Sequence, residues 1–146
     1  MTHLIAVLLL AGSVFSTVAV AQSNAPVPVL PDTLRWVSPP NVSGLQAAWV
    51  LGAEQKPGPY LLRVRLATGA RIPPHTHPDQ RISTVLAGII YVGFGKSFDE
   101  TQVVAIPTGA VYVAPAHVLH YIWAKDGEAM YQEAGVGPTG TLFLTR

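Results

Sequence analysis

Four of the five histidines fall in two short groups whose spacing suits metal binding: His75 and His77, and His117 and His120. Residues i and i+2 of an extended strand point to the same face, so His75 and His77 can present two imidazoles to one point. His120 could supply a third imidazole from another strand. Such neutral ligands suit Fe, Mn, Ni, Cu or Zn as divalent ions, with geometry selecting among them. A His-x-His pair is also common on polar surfaces, so its sequence context has to support the assignment.

The elements around these histidines are predicted to be short strands. Runs rich in β-branched and aromatic residues are punctuated by Gly and Pro, and no segment between them has a helical period. The predicted strands span residues 60–67, 82–94, 102–106, 111–114, 120–124, 129–136 and 141–145. Short strands at this spacing are typical of an all-β sandwich or barrel, and periodicity alone does not choose between the two.

Composition limits the classes of function. A chain of 146 residues fits one domain. Its formal net charge of +1 gives no bulk attraction to nucleic acid or an anionic membrane, and neither partner is expected. The absence of cysteine excludes disulfides, thiolate metal sites and a cysteine nucleophile. Only 12% of the residues are charged while 49% are hydrophobic, so we expect a homodimer to cover part of the surface.

The first 21 residues carry no charged side chain, are rich in Leu, Val and Ala, and end in Ala19-Val20-Ala21. This pattern predicts a Sec-type signal peptide cleaved before Gln22, and therefore a periplasmic or secreted protein. Gly and Ser dilute the apolar run, so no stable membrane anchor is expected. Residues 22–43 are dense in proline and are predicted to form an extended arm that docks through Leu34 and Trp36, ahead of a domain over residues 44–146.

Two frames around the histidines resemble the sequence motifs of the cupin superfamily. The first motif of that family, G-x5-H-x-H-x3-E-x6-G, is in register with Gly69, His75, His77, position 81 and Gly88. The second, G-x5-P-x-G-x2-H-x3-N, is matched by Gly109, Pro115 and His120. The likeness covers roughly residues 44–140 and is greatest to small exported bacterial cupin-domain proteins. It implies a single-domain jelly-roll barrel (a double-stranded β-helix), a divalent metal held by His75, His77 and His120, and a small-molecule ligand.

Three positions depart from these motifs: Arg81 replaces the glutamate ligand, His117 a glycine, and Ala124 the final asparagine. Arg81 matters most, because a guanidinium has no lone pair and repels a cation. Three arrangements remain open: a three-histidine site with Arg81 turned away, a one-residue bulge that brings in the amide oxygen of Gln80, or a metal-free pocket where Arg81 binds a carboxylate or phosphate. Strand alternation does not decide whether Gln80 or Arg81 faces inward, although the face with Gln80 is more apolar.

The sequence therefore supports two hypotheses of function. The first is a metal-dependent enzyme acting on an unidentified small molecule, by dioxygenation or by isomerisation of a carbonyl-bearing substrate. The second is a non-catalytic cupin that binds a small molecule or metal ion through a degenerate site. Arg81 favours the second, as does the lack of an obvious acid or base, since Asp79 and the other turn acids are predicted to be solvated. The fold does not separate these hypotheses.

Overall fold

The computed structural model describes residues 25–144, and the predicted signal peptide with its cleavage site lies outside this range. A 3-10 turn at Pro31–Thr33 precedes ten strands in this part of the chain. The strands are β1 (Leu45–Leu51), β2 (Gly58–Leu66), β3 (Arg71–Thr76), β4 (Arg81–Ala87), β5 (Ile89–Phe94), β6 (Val104–Pro107), β7 (Val111–Ala114), β8 (His120–Trp123), β9 (Ala129–Gly137) and β10 (Leu142–Phe143). Across residues 25–144, no helix has the length and apolar character needed to cross a membrane.

The strands form two five-stranded sheets that pack face to face. One sheet has the order β1-β2-β9-β4-β7 and the other β10-β3-β8-β5-β6, and each pairing between these strands is antiparallel. Apart from β1–β2 and β5–β6, neighbouring strands are not consecutive in sequence, as in a jelly roll, where the chain crosses repeatedly between two sheets. The predicted all-β, single-domain jelly-roll fold is confirmed.

Two strands were not predicted, and one predicted strand is divided. β1 lies in the segment before the first predicted strand, and β3 contains Pro73 and Pro74, which conceal it in the sequence. Proline cannot donate to a ladder. The β3–β8 register is accordingly irregular between Ile72 and His75. Residues 82–94 form β4 and β5, divided at Gly88, which has φ +72° and leaves no room for a Cβ against the Glu128 carbonyl.

The inner faces of the two sheets differ in character along their length. Apolar side chains fill most of the interior, among them Val64, Leu66, Ile72, Val85, Ile90 and Ile122. Burying each large aliphatic side chain contributes about 1.5–3 kcal/mol, so this cluster stabilises the sandwich. The remaining buried positions are polar and include His75, His77, Arg81, Ser83, His120, Glu133 and Thr139. Such groups are costly to bury unless they are paired, which marks this end of the interior as a candidate site.

The proline-rich arm lies against the outside of β1 and β2. The Arg65 guanidinium lies 3.8 Å from the centre of the Trp36 ring, and Val37 forms a bridge with Ala47. Trp36 is therefore a docking residue, as the sequence predicted. Farther along, Val42 is buried in the core cluster, so the end of the arm is packed as part of the domain.

Candidate metal centre

Strands β3 and β8 bring the three predicted histidines together on one wall of the interior. His75 pairs with His120 in the β3–β8 ladder, and His77 follows two residues after His75. The ring centres are separated by 4.2 Å (His75–His120), 4.9 Å (His75–His77) and 5.1 Å (His77–His120). All three side chains are at most 3% exposed. The i, i+2 spacing in the sequence thus produces the shared face that it predicted.

Each of these histidines has its Nδ1 atom at a backbone carbonyl. The partners are Pro73 O at 2.8 Å for His75, Gly140 O at 2.8 Å for His77, and Val118 O at 3.1 Å for His120. A carbonyl oxygen can only accept, so each Nδ1 carries the proton and each Nε2 keeps its lone pair.

The Nε2 atoms of His77 and His120 are buried without a hydrogen-bond partner. One ligand nitrogen from each of the three residues lies within 4.8 Å of the others, the arrangement expected of a cation site. Buried polar atoms without a partner are costly in an apolar interior, and a metal ion would satisfy them. The residues present therefore fit a divalent metal ion.

Burial keeps the three imidazoles neutral. It lowers the pKa of His75 to about 3, with a further contribution from His120, and the pKa of His77 to about 2, with a further contribution from Arg81. The pKa of His120 is also lowered, mainly by burial. Only the neutral imidazole can bind a metal ion, so these shifts favour ligand character at neutral pH.

Arg81 faces the interior, and its charge is matched by Glu133 on the neighbouring strand β9. The Arg81 Nη1 group donates to Glu133 Oε2 over 2.5 Å, and both side chains are only 4% exposed. The Nη2 group donates to Thr139 Oγ1 at 2.9 Å and to the Gly140 carbonyl at 3.1 Å. Burial works against the Arg81 charge, but Glu133 and other neighbours outweigh it and raise the pKa of Arg81. The cation near the histidines is therefore paired rather than free.

Each of the three open arrangements for positions 80 and 81 needs correction. Gln80 is exposed and lines a shallow surface depression with Asp79 and Ile82, so it does not enter the histidine cluster. Strand β4 pairs regularly with β7 from Arg81 to Thr84, so no bulge at the start of the strand rotates Gln80 inward. Arg81 is not turned away either. Its Nη groups donate to Glu133, Thr139 and the Gly140 carbonyl, so they are not available to an anionic ligand. The Nε atom lies 3.9 Å from Asp79 Oδ1 and has no hydrogen-bond partner.

Asp79 is mostly buried and takes part in side-chain hydrogen bonds. Asp79 was predicted to be solvated, which is wrong: it accepts hydrogen bonds from Tyr60 at 2.6 Å and Thr139 at 2.5 Å, and its side chain is 11% exposed.

His117 is exposed and lies outside the cluster. Its φ of +63° is a left-handed conformation that favours glycine, which explains the glycine in the family's motif.

Sequence reasoning missed Glu133. It lies 52 residues from Arg81, and the two meet only because β9 and β4 are neighbours in one sheet. The sequence signal for it was its position in the strand, because Glu133 lies on the same buried face of β9 as Ala129 and Tyr131. A glutamate at an inward position of an apolar strand requires a partner.

A small cavity of about 150 Å³ adjoins the histidines. Its polar lining consists of His75, His77, Arg81, Glu133 and Thr141, together with the Tyr131 side chain. Its apolar lining comes from Pro39, Val42, Leu45, Ala47, Leu62, Val64, Ile72 and Phe143. Larger depressions around Ser43 and Gly44 contain none of the three histidines. The chemistry therefore points to the smaller cavity as the candidate functional site.

The two packed sheets and the converging histidines define a class of small β-barrel proteins with a candidate metal centre inside. Residues 53–136 match the family model described as Cupin, which covers more than half of the chain. The chain belongs to the cupin family. This membership confirms the resemblance seen in the two motifs.

Individual relatives are distant. A germin-like protein 5-1 from rice (Oryza sativa subsp. japonica) is 37% identical over 69 residues, which cover 45% of this chain and 30% of that protein. The chain thus spans about a third of its length. The structure of KdgF from Halomonas sp. aligns with a TM-score of 0.61 and 19% identity, covering 77% of this chain and 94% of that chain, and supports the fold alone. An oxalate oxidase aligns with a TM-score of 0.58 and 25% identity, covering 73% and 57%.

Proposed function

We propose that this cupin binds a divalent transition-metal ion through the Nε2 atoms of His75, His77 and His120 and acts on a small molecule in the adjoining cavity. The observation that carries the proposal is the orientation of the three imidazoles, because each Nδ1 is occupied by a backbone carbonyl. Neutral histidine ligands suit Fe, Mn, Ni, Cu or Zn. When bound, such an ion supplies Lewis acidity and open positions for substrate or dioxygen.

The chain's own residues limit what can react there. A cavity of about 150 Å³ admits only a small molecule, and its mainly apolar walls strengthen polar interactions inside. Arg81 and Glu133 offset each other's charge, so a bound cation faces a paired ion rather than a free guanidinium. This setting favours dioxygenation, or isomerisation of a carbonyl-bearing substrate, over transfer of a large group.

The second candidate is a non-catalytic cupin that captures a small molecule or metal ion. Arg81 favours it, because it stands where the family motif has a glutamate ligand and leaves three neutral ligands. The double variant Arg81→Glu/Glu133→Gln tests this idea while keeping a single buried carboxylate. A strong rise in metal affinity would indicate a weakened native site and favour the binding protein.

Elemental analysis of protein purified without an affinity tag tests the metal site. We expect near-stoichiometric metal in the wild type, its loss in His75→Ala, and its retention in His117→Ala, where the substituted histidine is exposed. Metal absent from the wild type, or equal in both variants, would refute the three-histidine site.

Export and dimerisation are further parts of the proposal. The uncharged segment over residues 1–21 supports a periplasmic or secreted protein, and cell fractionation with intact mass should find a mature chain that begins at Gln22. Exposed apolar side chains on the outer face of β4 and β7, namely Ile82, Leu86, Val111 and Val113, support a homodimer. Light scattering would test it, and a monomer at high concentration would refute it.

A further inference from the structure

The cavity has two facing walls with different chemistry. The histidines belong to the sheet that contains β3 and β8, whereas Glu133 lies on β9 in the opposite sheet. Facing sheets lie roughly 10 Å apart, so a small molecule between them can touch both walls. Among the described residues that line this cavity, Glu133 is the one carboxylate.

One oxygen of Glu133 is committed and the other is available. Oε2 accepts the hydrogen bond from Arg81 Nη1. Within residues 25–144, Oε1 accepts no hydrogen bond, and it is not fully buried. Because Glu133 lines the cavity, this oxygen is accessible from it. Arg81 is itself anchored by Thr139 and the Gly140 carbonyl, which holds the carboxylate in one orientation. Glu133 is therefore a preorganised acceptor aimed at a bound molecule.

The surroundings suit this carboxylate to proton transfer. Burial raises the pKa of Glu133, with Arg81 working in the opposite direction, so the carboxylate is more basic than that of an exposed glutamate. Other candidates are less suitable. Asp79 is occupied by Tyr60 and Thr139, and burial raises the pKa of Tyr131, which makes that phenol a poor base.

We propose that Glu133 is a catalytic general base that removes a proton from the carbon next to a substrate carbonyl, an inference that rests on the proposed function. The C–H bond breaks, Glu133 Oε1 takes the proton, and the electron pair moves onto the carbonyl oxygen to give an enolate. Glu133 exchanges this proton with solvent and returns a proton to the γ-carbon of a β,γ-unsaturated substrate, which gives the α,β-unsaturated isomer, so no co-reactant is consumed. The substrate class is a small carbonyl compound with an acidic C–H bond, and the reaction is isomerisation rather than dioxygenation.

Proton exchange measures this step without knowledge of the natural substrate. The metal-loaded full chain is mixed with 2-oxobutanoate or cyclopentanone in D₂O. Loss of the proton signals next to each carbonyl is followed by NMR, and probe binding by saturation transfer. We expect the wild type to accelerate exchange and Glu133→Gln to reduce the catalysed rate roughly 10²–10⁴-fold, the usual contribution of a general base. Glu128→Gln, a change at an exposed glutamate, is the matched control and should exchange at the wild-type rate.

The outcomes distinguish failure of the general-base role of Glu133 from failure of the proposed metal site. Metal content is measured on every sample, and a wild type without metal refutes the proposed function. A metal-loaded wild type that fails to exchange either probe, or a Glu133→Gln variant that exchanges as fast as the wild type, overturns the role of Glu133. If circular dichroism shows that Glu133→Gln is unfolded, Arg81→Met/Glu133→Gln replaces it, because that variant removes both buried charges together.

Discussion

Removal of the Arg81 charge should destabilise the fold by an amount that depends on pH. Arg81→Met keeps much of the side-chain length but leaves Glu133 buried without its counter-ion, in a pair whose members are each 4% exposed. Breaking a buried pair in this way typically costs about 3–5 kcal/mol. The carboxyl can escape part of that cost by binding a proton. At about 1.36 kcal/mol per pH unit above its ordinary pKa of 4.5, protonation costs about 3.4 kcal/mol at pH 7 and about 0.7 kcal/mol at pH 5.

The direction of the pH dependence follows from the same linkage. In the variant, the folded pKa of Glu133 rises further above the unfolded value, so the folded state holds a proton that the unfolded state releases. Stability is then lost as the pH rises above 4.5. We expect the electrostatic penalty of Arg81→Met to be about 3 kcal/mol at pH 7 and below about 1 kcal/mol at pH 5. Lost hydrogen bonds to Thr139 and Gly140 add about 1 kcal/mol each at both pH values.

Urea denaturation of the wild type, both single variants and Arg81→Met/Glu133→Gln would measure these energies. At pH 7 the double variant should be more stable than the single effects predict, with a coupling energy of about 2–3 kcal/mol. Arg71→Met is the matched control, because Arg71 pairs with Glu100 at the surface, with exposures of 45% and 53%. It should cost less than about 1 kcal/mol. Equal penalties for Arg81→Met at pH 5 and pH 7, or strict additivity in the cycle, would refute the reasoning.

Three further predictions concern stability. After chelation of metal, lowering the pH from 7 to 5 should cost about 2 kcal/mol for each of His75 and His77, because their pKa values fall from 6.5 to about 3 and 2 and only the unfolded chain takes up the protons. A flat urea midpoint over this range would contradict it. Gly88→Ala should lower stability by at least about 2 kcal/mol, since its Cβ would lie 2.3 Å from Glu128 O at a left-handed φ. His117→Gly should raise the free energy of unfolding by about 0.5–1 kcal/mol, and with it the urea midpoint, by relieving the φ of +63°.

The predictability of the fold depended on how each strand meets its neighbours. β2, β7, β8 and β9 were predicted because their β-branched and aromatic residues stand between clear turns. β3 was not, because its two prolines forbid a regular ladder, yet the strand is possible there since β10 pairs only with His75 and Thr76. The division at Gly88 was hidden in a continuous apolar run. Its cause is a close approach to Glu128, which no local pattern contains.

The sequence by itself determined the histidine pair and its likeness to a known motif. Spacing along an extended segment is a local property, so His75 in β3 and His77 just after its end share a face once that segment is extended. The joining of His120 to them was expected from the second motif, and the β3–β8 ladder supplies the contact.

Only the tertiary structure decided what Arg81 does. Strand alternation left its direction open, and the more apolar face of β4 proved to be the outer one, with Ile82 exposed and Arg81 buried. The reason is that a buried guanidinium requires a counter-charge, and Glu133 becomes available only when β9 is placed beside β4. Through this contact between distant segments, the Arg81 charge, which would otherwise oppose metal binding, is neutralised and holds the buried Glu133 carboxylate in place.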